Sequence, residues 1–108
     1  MGALFFDRRA QDIIENPIPL PQAFILLQNY PNPFNNSTVI EFTLPEAAEV
    51  RFRFFDILGR LMFELDKGWI DAGTYRQRLE LKDFPSGVYS YMLTTGNLRI
   101  SRKMTVVK

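Results

Sequence analysis

Apolar and polar residues alternate with a period of two along most of the chain, the mark of strands with one buried face. From Ser37 to Leu44, the residues Ile40, Phe42 and Leu44 fall on one face, and Val39, Glu41 and Thr43 on the other. From Glu49 to Asp56, Val50, Phe52 and Phe54 alternate with Arg51 and Arg53. Arg60 to Leu65 sends Leu61, Phe63 and Leu65 one way. Thr74 to Leu81 sets Tyr75, Gln77, Leu79 and Leu81 against Arg76, Arg78 and Glu80. Gly87 to Thr95 and Leu98 to Val107 complete the series, and an apolar run from Ala23 to Gln28 precedes it. Turn formers separate these runs at Tyr30 to Ser37, Pro45 to Ala48, Ile57 to Gly59 and Asp71 to Gly73, and Gly96-Asn97 is a two-residue hairpin signal. No helical period interrupts the pattern. It predicts an all-β fold, an immunoglobulin-like antiparallel β-sandwich of about seven strands over residues 23–108. The predicted core comprises Ile40, Phe42, Val50, Phe52, Phe54, Leu61, Phe63, Leu79, Tyr89, Tyr91 and Leu93.

Pro85-Ser86-Gly87-Val88-Tyr89 places a tyrosine two residues past a turn glycine, where the penultimate strand begins. Sandwiches of this type carry a tyrosine there whose hydroxyl bonds back to the upstream backbone. Gly87 is expected to supply a backbone conformation that a β-carbon resists.

Residues 1–22 are different in kind. Asn16-Pro-Ile-Pro-Leu-Pro21 holds three prolines in six residues, which excludes a helix and favours an extended linker. Asp7 to Pro21 is expected to be exposed and to be where processing occurs, since a protease needs accessible extended backbone. The apolar run Ala3 to Phe6 leaves open self-association through edge strands, within the domain or between copies. Met1 to Arg9 is not a signal peptide: its arginines follow the apolar run rather than precede it. Export therefore implies a leader further upstream. No stretch reaches the roughly 18 apolar residues of a membrane span.

Composition narrows the chemistry. The 108 residues include no cysteine and no histidine. Disulfides, thiolate metal sites, cysteine nucleophiles, histidine bases and Ser-His-Asp triads are excluded together. Asp56 and Asp83 read as turn caps, and Glu64 and Asp66 as a solvated strand edge. Asn35-Asn36-Ser37 and Asn36-Ser37-Thr38 match the N-glycosylation pattern, which short turns produce by chance. There is no calcium-hand loop and no glycine-rich phosphate loop, so no catalytic, cofactor-binding or metal residue is assigned, and an enzyme is not expected. Charge is uneven. All 12 acids lie at or before Asp83, and beyond Phe84 the only charges are Arg99, Arg102, Lys103 and Lys108. Four dispersed cations do not make a nucleic-acid surface. They suit a basic strip on the last strand.

One ordered set of motifs goes further. Leu27-Gln-Asn-Tyr-Pro-Asn-Pro-Phe-Asn-Asn-Ser-Thr-Val-Ile40, with Tyr30, Pro31, Asn32, Pro33, Phe34 and Asn35 at its centre, resembles the opening of the type A C-terminal sorting domains of the type IX secretion system. Asp56-Ile-Leu-Gly59-Arg60 resembles their central turn. Ser86-Gly-Val-Tyr-Ser-Tyr-Met-Leu93 resembles their Gly-x-Tyr strand, and Arg102-Lys-Met-Thr-Val-Val-Lys108 their closing strand. Asn36 departs from the proline usual there. The resemblance spans Leu26 to Lys108. Immunoglobulin-like modules of flagellar hook-capping proteins share the opening motif.

The resemblance implies an address label at the C-terminus of a cargo protein of a Bacteroidetes-type bacterium. Such a label is read by the outer-membrane translocon with its shuttle and sortase components. It is then cut off as the cargo passes from the periplasm to the cell surface or the medium. Gly87, Tyr89, Arg102, Lys103 and Lys108 are the expected recognition positions, with the last strand offering a sheet edge for β-augmentation and Met104, Val106 and Val107 supplying apolar contact. The other reading of the same residues is a self-standing structural or adhesive subunit of a surface assembly.

Overall fold

The computed structural model describes residues 23–108. The proline-containing segment 1–22, with its expected processing region and the Ala3 to Phe6 run, lies outside the described residues.

Seven strands form among the described residues, and every pairing between them is antiparallel. They are β1 (Ile25–Leu26), β2 (Ser37–Leu44), β3 (Ala48–Phe55), β4 (Leu61–Ile70), β5 (Gly73–Glu80), β6 (Gly87–Thr95) and β7 (Leu98–Val106). One sheet has the order β1-β2-β5 and the other β4-β3-β6-β7. The period-two pattern explains why they stack. Thr38, Ile40, Phe42 and Leu44 of β2 face Val50, Phe52 and Phe54 of β3 and Tyr89, Tyr91 and Leu93 of β6 across a single core. The result is the immunoglobulin-like sandwich that the alternation predicts. The Pro45-Glu46-Ala47 connection carries the chain from one sheet to the other, whereas Gly96-Asn97 closes a tight hairpin between Thr95 and Leu98.

An aromatic chain runs through this core. Tyr75 stacks on Phe42 at 5.5 Å, Phe42 meets the edge of Phe52 at 5.3 Å, and Phe54 stacks on Phe63 at 4.3 Å. Phe63 then meets Phe84, and Phe84 meets Tyr89 at 5.6 Å. Edge-to-face and offset pairs of this kind add stabilisation beyond the area they bury. Leu44 and Leu81 join the core on the faces that alternation assigns them, and Leu26, Phe34, Met104 and Val106 join it although simple alternation did not single them out.

Leu61 is the exception in the other direction. Alternation predicts it inside, but it is 52% exposed. The pairing of β3 with β4 slips between Phe54 and Phe55: Phe54 opposes Phe63, whereas Phe55 opposes Leu61. The extra residue, Met62, forms a bulge, and a one-residue insertion turns every later side chain to the opposite face. A second bulge lies between Val50 and Arg51, where Val50 opposes Gly68 and Arg51 opposes Asp66. Gly68 takes φ 71° there and its N–H bonds to Asp66 Oδ1 at 3.0 Å. That bulge carries β4 to Ile70, five residues past the end that alternation indicates.

Replacing Phe52 by Ala removes a fully buried ring and is expected to cost about 3–5 kcal/mol. Leu61→Ala, on the turned-out side of the bulge, is expected to change stability by no more than about 0.5 kcal/mol. Urea denaturation of the two variants checks both, and a loss at Leu61 comparable with that at Phe52 would contradict the bulge.

Candidate functional site

The opening motif is folded around buried polar atoms. The Tyr91 hydroxyl, inside the sandwich, donates to Leu27 O at 2.9 Å and accepts from Asn29 N at 2.9 Å. Asn29 is itself buried, and its Nδ2 donates to Pro31 O at 3.2 Å and to Thr38 Oγ1 at 3.1 Å. Thr38 Oγ1 donates in turn to Pro31 O. Tyr30 pairs with Val39 through both backbone groups and is itself 80% exposed. Burial pushes the Tyr91 phenol above its ordinary pKa, and the Asn29 N–H and the Arg102 charge offset this in part. Asn29 and Thr38 are site residues that pattern reading missed. An asparagine in a proline-rich turn looks like any other turn former until its burial is known.

The same segment lies along the last strand. Phe34 N donates to Thr105 O at 3.0 Å, Val107 N donates to Phe34 O at 2.8 Å, and Thr105 N donates to Asn32 Oδ1 at 2.9 Å. Gln28 Nε2 reaches Lys103 O, and Arg102 Nε reaches Leu26 O, both at 2.6 Å. β7 is the end strand of its sheet, yet its outer edge from Lys103 to Val107 already carries the opening motif. Met104 and Val106 are about 1% exposed. The expectation that Met104 and Val106 offer apolar contact to a receptor therefore fails. Only Val107 of that trio is exposed.

The structure gives the expected recognition residues distinct surroundings. Tyr89 OH donates to Pro85 O at 2.8 Å and so fixes the corner into β6. A second corner repeats the device at Gly73-Thr74-Tyr75, where Tyr75 OH donates to Asp71 O at 2.7 Å, also four residues back. The Gly-x-Tyr spacing common to both was the legible signal for it. Gly87 corrects its expectation: its φ lies outside the left-handed region, and an added Cβ would meet the Tyr89 ring at an ordinary 3.7 Å. It is already in strand geometry, so no special conformation is demanded. Lys108 is a clasp. Its Nζ donates to Lys82 O at 2.7 Å and Leu81 O at 3.1 Å, and its backbone N donates to Ser86 Oγ. Arg102 is spent on Leu26. Lys103 is exposed, and no ion pair among the described residues takes its ammonium.

The central turn is self-contained. Asp56 Oδ1 accepts the N–H groups of Leu58 and Arg60, each at 2.9 Å, and Asp56 Oδ2 accepts Arg60 Nε at 2.7 Å. The Arg60 N–H, above all, holds the Asp56 carboxyl below the usual carboxylate range. Gly59 takes φ 82°, which a side chain resists. This turn lies against Val88, Tyr89, Ser90 and Lys103 around a groove of about 330 Å³. The folded chain thus brings the central turn and the last two strands together, although they are distant in sequence. Asp83, by contrast, caps no turn among the described residues.

Residues 28–108 match the family of secretion system C-terminal sorting domains. This chain belongs to that family. The sorting domain is therefore a C-terminal signal for type IX secretion, a role that implies interaction with the type IX machinery and an address at the cell surface or beyond it. Its family is one of sorting signals and not a known enzyme family. No curated protein matches the chain. Among the described residues no helix is long and apolar enough to cross a membrane, and no cluster of acidic side chains could hold a metal ion.

Two substitutions in the sorting domain separate turn strain from strand geometry. Gly59→Ala is expected to cost about 1–2 kcal/mol, the penalty for a β-carbon in the left-handed region, whereas Gly87→Ala is expected to cost less than about 1 kcal/mol. Thermal unfolding of both variants checks the order.

Tyr91→Phe leaves Leu27 O and the Asn29 N–H without their partner and is expected to cost about 1–3 kcal/mol. The raised phenol also sets a pH dependence. Above about pH 10 the unfolded chain ionises Tyr91 before the folded chain does, so the folded state binds more protons and stability falls as pH rises. Denaturation between neutral pH and pH 11 should therefore show a steeper alkaline loss in the wild type than in Tyr91→Phe.

Proposed function

We propose that residues 23–108 act as the folded address of a larger cargo protein, held behind the proline-containing segment 1–22. In this reading the cargo passes through the periplasm and the outer-membrane translocon, with its shuttle component, reads the folded sandwich. A sortase then cuts in the segment before Ala23, and the cargo stays at the cell surface or is released.

The observation that carries this reading is the convergence of the family's motifs around one strand. The opening motif covers the edge of β7, Lys108 clasps the carbonyls of Leu81 and Lys82, and the Asp56–Arg60 turn borders Lys103. A chain whose most specific residues are spent on holding its last strand in place is built to present that end in one conformation. Tyr89, Arg102 and Lys108 then serve as positioning residues, and Lys103 as the readable charge. An extended receptor strand at Met104 to Val107 would first have to displace Phe34 and Asn32 from the β7 edge, so recognition of the assembled surface is favoured over augmentation there.

The buried Met104 and Val106 make C-terminal deletion a poor test, because it removes core. A fusion of the 108-residue chain behind a periplasmic reporter, expressed in a host with a type IX system, tests the proposal directly. The expected result is reporter in the medium or on the surface, with the reporter alone retained in the periplasm. Equal retention of the two would refute the address role.

A further inference from the structure

The outer surface beside the central turn combines three features. Ile57 and Leu58 at the tip of the turn are 75% and 74% exposed, and Leu61, Met62 and Val88 around them are exposed as well. Large apolar side chains grouped at this density on a small domain mark contact surfaces rather than ordinary surface scatter. The turn, Val88, Ser90 and Lys103 border the groove of about 330 Å³. Its charge is one-sided. The Asp56 carboxylate is consumed by Arg60 and by two backbone N–H groups, whereas the Lys103 ammonium has no ion-pair partner among the described residues. The arginines of β3 on this same outer face of the sheet are already matched: Arg51 pairs with Asp66 at 3.3 Å and Arg53 with Glu64 at 2.8 Å.

We infer that this groove binds an extended acidic segment of a protein of the secretion machinery. An aspartate or glutamate of that segment pairs with Lys103, and its flanking apolar side chains cover Ile57, Leu58 and Val88. The charge selects the ligand's sign and steers the approach, and the apolar rim supplies the contact area. This rests on the address role proposed above and locates its reading surface between the central turn and the last two strands, away from the covered edge of β7. The two Asp56 oxygens have a part in it too. By neutralising Arg60 and fixing the turn, they leave Lys103 as the uncompensated charge of the groove.

The reporter fusion of the full chain tests the inference with exposed substitutions that leave the core untouched. I57S/L58S removes the apolar tip, K103E reverses the charge and K103R keeps it. W69S/L98S strips exposed apolar residues at the opposite end of the sandwich. Circular dichroism and thermal midpoints confirm that each variant is folded. Secretion is expected to fall by roughly tenfold or more for I57S/L58S and for K103E, the loss that follows from removing one interface anchor. K103R and W69S/L98S are expected to secrete like the wild type. A wild-type fusion that is secreted while folded I57S/L58S and K103E are secreted equally well would overturn the groove and leave the address role standing. A wild-type fusion that stays in the periplasm would overturn both. The same chains are also mixed with phosphatidylglycerol–phosphatidylcholine vesicles. No co-sedimentation is expected, and binding lost in I57S/L58S and K103E would assign the groove to a lipid surface and overturn the peptide.

Discussion

A tyrosine hydroxyl buried between two sheets must find partners there, because an unpaired polar atom in a core is costly. The Tyr91 hydroxyl finds two, Leu27 O and the Asn29 N–H. Those bonds pin the point where the chain leaves β1. Asn29 then turns the backbone through Pro31 and Thr38, and the opening motif comes to rest along β7. The edge of the last strand, the exit from β1 and the middle of β6 are thus coupled through one phenol.

Around that centre the fold treats its four edge strands differently. β1 is only two residues long, β4 is bulged twice, and β7 is covered by the chain's own opening motif over its second half. β5 carries Arg76, Arg78 and Glu80, paired with acids or with each other. Short, bulged, covered and charged edges are the known means of discouraging indiscriminate strand pairing. A sorting domain that must meet its partners without pairing at random with other strands benefits from all four. Under the proposed function, affinity then comes from side chains on a formed surface, the kind of surface where Lys103, Ile57 and Leu58 are exposed.

The two tyrosine corners and the aromatic chain between them join the ends of this arrangement. Tyr75 and Tyr89 each bond to a carbonyl four residues upstream, and their rings are the two ends of the series that passes through Phe42, Phe52, Phe54, Phe63 and Phe84. The turns are therefore held by the same side chains that fill the core, so a turn cannot shift without disturbing packing between the sheets. That coupling gives the surface near Tyr89, the Lys103 groove included, a single conformation to present.

Much of this was readable from residue order alone. Period-two alternation in Ser37 to Leu44, Glu49 to Asp56 and Gly87 to Thr95 determines strands with one apolar face, because side chains on an extended backbone point alternately to opposite sides. The ordered motifs around Tyr30, Asp56, Tyr89 and Lys103 determine the family. Alternation fails at Leu61 because a bulge is a property of two paired strands, and one strand read by itself carries no record of it. It also fails to separate Lys103 from Lys108. Both are basic residues on the closing segment, but one ammonium is capped by carbonyls from the β5–β6 connection and the other faces a groove. Only the tertiary structure decides that, since which carbonyl lies within reach of a long side chain depends on elements far apart in sequence being folded against each other.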